Sequence, residues 1–239
     1  MVETRLRRTS VEIDGQAVPV TLRKNYRASR MAIRIDAARN GSEDGVFVTI
    51  PTGASFAAGL DWLNAKAVWV EEQLRSLAPR IPFANGASVP LIGVDHIIRH
   101  RPDARRGVWL EIGEIHVSGR SEHLARRVLD WFKREARRDI TRRVLEKAGR
   151  LGRQPGRVTL RDTRSRWGSC AANGNLSFCW RLIMAPEFVL DYVVAHEVAH
   201  LQEANHKLAF WRSVAALTSD PDTARAWLRK YGEGLHRIG

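Results

Sequence analysis

Residues 191–206 read Asp191-Tyr192-Val193-Val194-Ala195-His196-Glu197-Val198-Ala199-His200-Leu201-Gln202-Glu203-Ala204-Asn205-His206. Histidines at i and i+4 stand one helical turn apart on a single face, so His196 and His200 can both reach one ion. Glu197 between them is set to take a proton from water activated at that ion. This spacing is the HExxH pattern of zinc hydrolases. A third histidine, His206, follows ten residues after His196, the first-to-third spacing of the longer HExxHxxGxxH pattern. That pattern places a glycine where Glu203 stands here, and a methionine turn further on. Met1, Met31 and Met184 all precede His206, so the chain departs from it on both counts. Asn205 tolerates a left-handed conformation and is expected to make the turn instead. Glu203 competes as third ligand, but three residues past His200 it should still be helical, so His206 is preferred.

Working outward, Pro186 starts the helix that carries this motif, and the apolar run Phe188, Leu190, Val193, Val194, Ala195 and Val198 extends it to about Ala204. Before it, Arg157–Cys170 and Asn175–Ile183 predict a β-hairpin closed across Asn173-Gly174. One of its strands, Arg164–Cys170 or Leu176–Arg181, could pair with an extended peptide and offer its carbonyl to the metal. Trp167 reads as a core aromatic under the sheet. Cys170 and Cys179 read as free thiols, near each other across the hairpin. Arg161, Arg164, Arg166 and Arg181 cluster on or beside the hairpin, as an exposed charged face or as contacts to a substrate carboxylate, phosphate or oxyanion. Tyr192 packs or assists an oxyanion, and Asp191 is a candidate partner for a liganding imidazole. Phe210 and Trp211 should lock the short helix carrying His206 against the motif helix.

The run Arg164-Ser165-Arg166-Trp167-Gly168-Ser169-Cys170, the hairpin, the motif helix and Asn205-His206…Phe210-Trp211 together closely resemble the YgjP-like metal-dependent hydrolases. These are zincin-type proteins related to the SprT and WLM metallopeptidases. The resemblance covers about residues 160–215 in its specific motifs, and the strand-rich N-terminal half is compatible with it. It implies one zinc ion per chain held by His196, His200 and His206, with Glu197 catalytic, and it leaves the substrate open.

Upstream, a long helix is expected after Ser121 as N-cap, with Leu124, Val128, Leu129, Phe132, Ile140 and Val144 facing inward. Short strands are expected over about 86–118. In the first 55 residues or so, Val11–Val20 alternates around Gly15, and Met31–Ile35 and Val46–Ile50 are β-branched runs separated by Asn40-Gly41 and Asp44-Gly45. Ser55–Leu77 has helical spacing. The fold class is therefore α+β, a zincin-like catalytic unit with a β-rich N-terminal half. We expect an accessory region over 1–120 and a metallohydrolase region over 121–239.

The 239 residues, 44% hydrophobic and 27% charged, exclude a disordered tail protein. No run approaches the roughly 18 apolar residues of a membrane span. Charges fill the N-terminus where a leader would be apolar, and two cysteines are too few for a disulfide framework. A cytoplasmic location is the simplest expectation. The net charge is +13, and 15 basic side chains fall in residues 121–166 against 6 acidic ones. Such a stripe attracts anions and opens two rival readings. One keeps the metal site for a phosphate ester or nucleoside triphosphate. The other is a zinc-stabilised nucleic-acid-binding module, which lacks the fourth protein ligand of a closed structural site. A zinc-dependent peptidase is the favoured reading, with a peptide or protein substrate and no membrane partner.

Overall fold

The computed structural model describes residues 6–36 and 44–239. The charged run before Leu6 and the expected Asn40-Gly41 turn lie outside them. Six helices and three sheets among the described residues make an α+β architecture. The chain divides into two compact units, Met1–Pro79 and Arg80–Gly239. The motif helix lies in the second unit.

In the first unit, strands β1 (Leu6–Ile13), β2 (Gln16–Asn25), β3 (Ala32–Asp36) and β4 (Gly45–Pro51) form one sheet in the order β1-β2-β4-β3. The β1–β2 turn is Asp14-Gly15 with φ of +51° and +69°, the two-residue geometry whose twist matches a hairpin. Val20, Leu22, Val48 and Ile50 bury their side chains with Leu63 and Val70 from the helical segment. That segment is two helices, not one, α1 (Phe56–Asn64) and α2 (Ala67–Arg75). The Ala65 N–H is shared between the Asp61 and Leu63 carbonyls, and Lys66 leaves helical geometry at φ −110°, ψ 13°.

The second unit opens with a sheet of β5 (Ser88–Leu91), β6 (Val94–Arg101), β7 (Val108–Glu111) and β8 (Glu114–Ser118), ordered β5-β6-β8-β7. Helix α3 (Leu124–Arg150) covers it, with Val128, Phe132, Ile140 and Val144 buried in one core with Ile98, Ile115 and Val117. Ser121 is not the cap of α3; a 3-10 turn at Ser121–His123 intervenes, and His123 holds the cap position without a side-chain bond. A second sheet follows, β9 (Val158–Arg161), β10 (Gly168–Cys170) and β11 (Leu176–Cys179), in the order β10-β11-β9. Only β10 and β11 form the expected hairpin. Residues 162–166 leave the ladder, and β9 pairs parallel to β11 on its far side. Because β11 is central, only β10 and β9 present open edges.

After a 3-10 turn at Trp180–Met184 and Pro186, helix α4 (Glu187–Ala199) carries the motif. It is apolar almost all round, as a helix buried on most sides must be. It ends at Ala199, with His200 as C-cap, rather than continuing to Ala204. Helices α5 (Leu208–Leu217) and α6 (Pro221–Leu235) pack against it, the latter capped by Asp220 accepting the Thr223 N–H at 3.1 Å. A two-residue hairpin tip, Ile92-Gly93, docks on the approach to α4. The Ile92 N–H donates to the Ile183 carbonyl (2.7 Å), and a Cβ on Gly93 would collide with Pro186.

Two cations of α3 fasten α4 to it. Buried Arg143 donates to Asp139 (2.8 Å), Glu187 (2.9 Å) and Asp191 (3.3 Å). Buried Lys147 pairs with Asp191 at 2.8 Å and donates to the Leu217 carbonyl at 2.6 Å, tying α3, α4 and α5 together. Burial alone would push the Asp139 carboxyl up, but hydrogen bonds from Arg143 and Arg142 outweigh it and hold it below its ordinary range. Lys147→Met keeps most of the stem but leaves Asp191 and the Leu217 carbonyl without this donor. It should destabilise the protein by about 2 kcal/mol, in the range for an orphaned buried polar group, read from the urea midpoint.

Candidate active site

The end of α4 brings His196 and His200 to one side, and the chain turns back so that His206 meets them just before α5. The three imidazoles each offer a nitrogen, and these atoms lie within 4.8 Å of one another. His206 Nε2 and His196 Nε2 are 3.2 Å apart. His200 Nδ1 donates to the Glu203 carbonyl at 3.0 Å, which leaves Nε2 as the ring nitrogen with a lone pair. Glu203 thus contributes its backbone to the cluster. Asn205 is not left-handed; among described non-glycine residues only Asp14, Ile92 and Ile112 have positive φ. Its side chain accepts the Lys207 N–H (3.2 Å) and closes the turn into α5.

Fully buried Phe210 forms the floor, its ring 4.9 Å from His196, 4.5 Å from His200 and 4.6 Å from His206. Trp211 stands 6.0 Å from His196. Both belong to α5, whereas His206 lies in the turn before it, so the aromatics buttress the imidazoles directly. Burial, then the neighbouring His200, His206 and Arg225, push His196 down to about 4. It is a neutral nitrogen donor at neutral pH. Three converging imidazoles on an apolar floor fit a divalent metal ion of the zinc type.

Glu197, the residue after His196 on the helix, lies against Gly168 of β10 and is only 7% exposed. Burial pushes its carboxyl up to about 7, against the Arg166 charge and a hydrogen bond from the Cys170 backbone that pull it down. A Cβ on Gly168 would come within 2.5 Å of Glu197 Cγ and 2.7 Å of Oε1. Residue 168 is therefore glycine because the carboxylate occupies the space a side chain would need. Gly168, Cys170 and Glu197 line one cavity with the three histidines. A second cavity, about 380 Å³, adjoins it along His196, Glu197, Tyr192, Arg166 and Trp167.

Of the expected arginines, Arg166 lines this cleft and Arg181 does not. Arg181 is buried, bonded to Asp162 at 2.8 Å and to the Leu235 and Ile238 carbonyls, where it fastens the C-terminus. Arg164 lies in the loop before β10, half-buried, and lines none of these cavities. Asp191 faces Arg143 and Lys147 and not an imidazole. Tyr192 reaches His196 Nδ1 at 3.5 Å and lines the cleft. Trp167 is half-buried, stacked on His236 at 4.9 Å. Cys170 pairs with Leu176 and Cys179 lies beyond the hairpin's end, so the thiols are not cross-strand partners; both are free. Burial raises both thiols above their ordinary value. Arg225 and Arg229 of α6 also line the cleft, and Arg225 stacks over Trp211 at 5.2 Å. Their i, i+4 spacing is visible in the sequence, but nothing there says that α6 returns to α4.

The basic stripe of residues 121–166 is not an open row of cations. Arg143 and Lys147 are buried, Arg126, Arg138 and Arg142 pair with acids of α3, and Arg127 and Arg150 bond backbone carbonyls.

A helix-borne pair of histidines with an intervening glutamate, joined by a third histidine, defines a metallohydrolase type of site. The YgjP-like, metallopeptidase domain family matches residues 30–231, and the chain belongs to that family. Membership implies a metal ion and a peptide substrate; it supports neither a nucleic-acid nor a phosphate partner. The crystal structure of the metallopeptidase zymogen of Pyrococcus abyssi abylysin is similar at 19% identity and a TM-score of 0.35, over 39% of this chain and 93% of that one. Among curated proteins no significant relative is found. No helix among the described residues is long and apolar enough to cross a membrane.

Gly168→Ala should destabilise the protein by about 1–3 kcal/mol through overpacking. The loss should shrink when Glu197→Ala is present as well, because the colliding atoms are gone. Thermal melts of the two single variants and the double variant measure this coupling; additive losses would place the strain elsewhere.

Proposed function

We propose that the protein is a zinc-dependent metallopeptidase of zincin type, with His196, His200 and His206 holding one zinc ion and Glu197 as general base. The observation that carries the reading is the convergence of three imidazoles with a buried carboxylate beside an edge strand. The catalytic region is residues 121–239, since every residue given a role lies within it. The bound ion supplies Lewis acidity to water and to the scissile carbonyl.

The chain's own groups do the rest. The Trp167 carbonyl accepts from the Cys179 N–H and the Ala171 N–H donates to the Asn175 carbonyl, each at 2.8 Å. The alternation of an antiparallel ladder then turns the backbone groups of Gly168 and Cys170 toward the outer edge of β10, where the Cys170 N–H meets Glu197. An extended peptide pairs there and lies across the metal site. Glu197 takes the proton released as water attacks the carbonyl and passes it to the departing amine. Its burial raises its proton affinity toward neutrality, which suits a group that must both accept and return a proton. Arg166, at the cleft wall, orients the substrate and steadies negative charge that develops on the carbonyl oxygen.

Glu197→Gln keeps the shape of the side chain and removes the base. The purified variant should retain zinc while peptide turnover falls by roughly 10²–10⁴. Near-wild-type turnover in the zinc-loaded variant would place water activation elsewhere. His206→Ala should lose zinc during dialysis, read by metal analysis; full occupancy would return attention to Glu203. A parallel panel of nucleoside triphosphates should show no turnover that depends on Glu197.

A further inference from the structure

We propose that a cationic trough on the outer face of the β9–β11 sheet selects peptides with anionic side chains at alternate positions, a specificity that rests on the peptidase reading above. The trough has a volume of about 570 Å³ and no acidic residue among its lining side chains. Its floor is a row of hydroxyls set by strand register: Ser169 opposes Ser177, and Ser177 opposes Thr159. Arg157, Arg161 and Arg166 stand around this row, all exposed. No ion pair engages any of the three among the described residues, and the nearby Asp162 carboxylate is taken by Arg181. The guanidiniums of Arg157 and Arg161, with Arg166 also in the field of Glu197, make over this hydroxyl floor a field and donor set for carboxylate or phosphate monoester groups.

Position ties this trough to the cleft. Arg166 lines both the trough and the cavity beside Glu197, and Ser169 lines both the trough and the cavity of the three histidines. Along β10, Gly168 faces Glu197 while Ser169, the next residue, faces the trough, as successive residues of a strand must. A peptide added to the open edge of β10 alternates in the same way. Every second side chain flanking its scissile bond therefore lies on the trough side of the sheet, one strand spacing outside Ser169 and beside Arg166, while Arg157 and Arg161, at β9 two strands further in, act on it through the field of the trough. Aspartate, glutamate and phosphoserine share the chemistry these groups recognise.

The test uses the full-length, zinc-loaded protein and one peptide sequence made with Glu, phosphoserine, Gln or Lys at the alternate positions. We expect kcat/KM for the Glu peptide to exceed that for the Gln peptide by about threefold, within the range of one exposed ion pair. Phosphoserine should do at least as well, and Lys worse. In Arg157→Gln/Arg161→Gln the Glu-to-Gln ratio should fall toward one, and Arg161→Glu should shift preference toward the Lys peptide, which a merely structural arginine would not do. Equal rates for Glu and Gln peptides in the wild type overturn the proposal. If no peptide is cleaved, the peptidase reading fails, and fluorescence anisotropy of the labelled Glu peptide on Glu197→Gln protein decides the trough separately. Binding that weakens in the double arginine variant supports it, and no binding overturns it. A single-stranded oligonucleotide that displaces the Glu peptide with higher affinity at about 0.15 M salt also overturns it, in favour of a nucleic-acid occupant.

Discussion

No atom larger than hydrogen fits on the Cα of residue 168 while Glu197 keeps its place. This close approach of a strand backbone to a helix side chain sets the spacing between β10 and α4. The carboxylate is buried between them, with the Cys170 backbone as its hydrogen-bonding partner. Because the strand is held this near the helix, its open edge runs beside the three histidines.

The position of α4 is fixed from three directions, each by a different physics. Apolar burial against α3 and the 3-10 turn at Trp180–Met184 supplies the bulk of the adhesion. The Arg143 and Lys147 network supplies direction, because a charged group held in a low-dielectric interior tolerates little displacement of its partners. The Ile92-Gly93 tip supplies a stop at the start of the helix, closing on Pro186 with backbone donors to the Ile183 and Met184 carbonyls. A helix so constrained presents His196 and His200 with little freedom, and Phe210 restricts the rings further. That rigidity is what a three-nitrogen metal site requires, since ligand geometry there tolerates deviations of only about 0.2 Å.

Charge is distributed with a similar division of labour. Several arginines and lysines of residues 121–166 are spent inside the fold, on helix neighbours or on carbonyls at the ends of other elements. Arg181, which sequence position places with the hairpin arginines, is likewise consumed at the C-terminus. Others stand around the cleft and the outer sheet face: Arg166 in the field of Glu197, Arg225 paired with Asp222, and Arg157 and Arg161 with no ion pair among the described residues.

What was legible in the sequence was local. The i, i+4 spacing of His196 and His200, the offset of His206, the long amphipathic repeat of α3 and the turn glycines at Gly15 and Gly174 all act over a few residues, where backbone geometry alone fixes the outcome. The end of α4 was misplaced by sequence because the apolar pattern continues past His200, while the chain exits the helix to bring His206 back. The break at Lys66 was hidden for the same reason, an uninterrupted stripe. The parallel placement of β9, the burial of Arg181 and the return of Arg225 and Arg229 to the cleft depend on contacts between residues far apart in the chain, and no local pattern encodes them. Gly168 shows the boundary between the two kinds of information. The sequence contains the glycine, but its necessity exists only once a helix 29 residues away has laid a carboxylate against it.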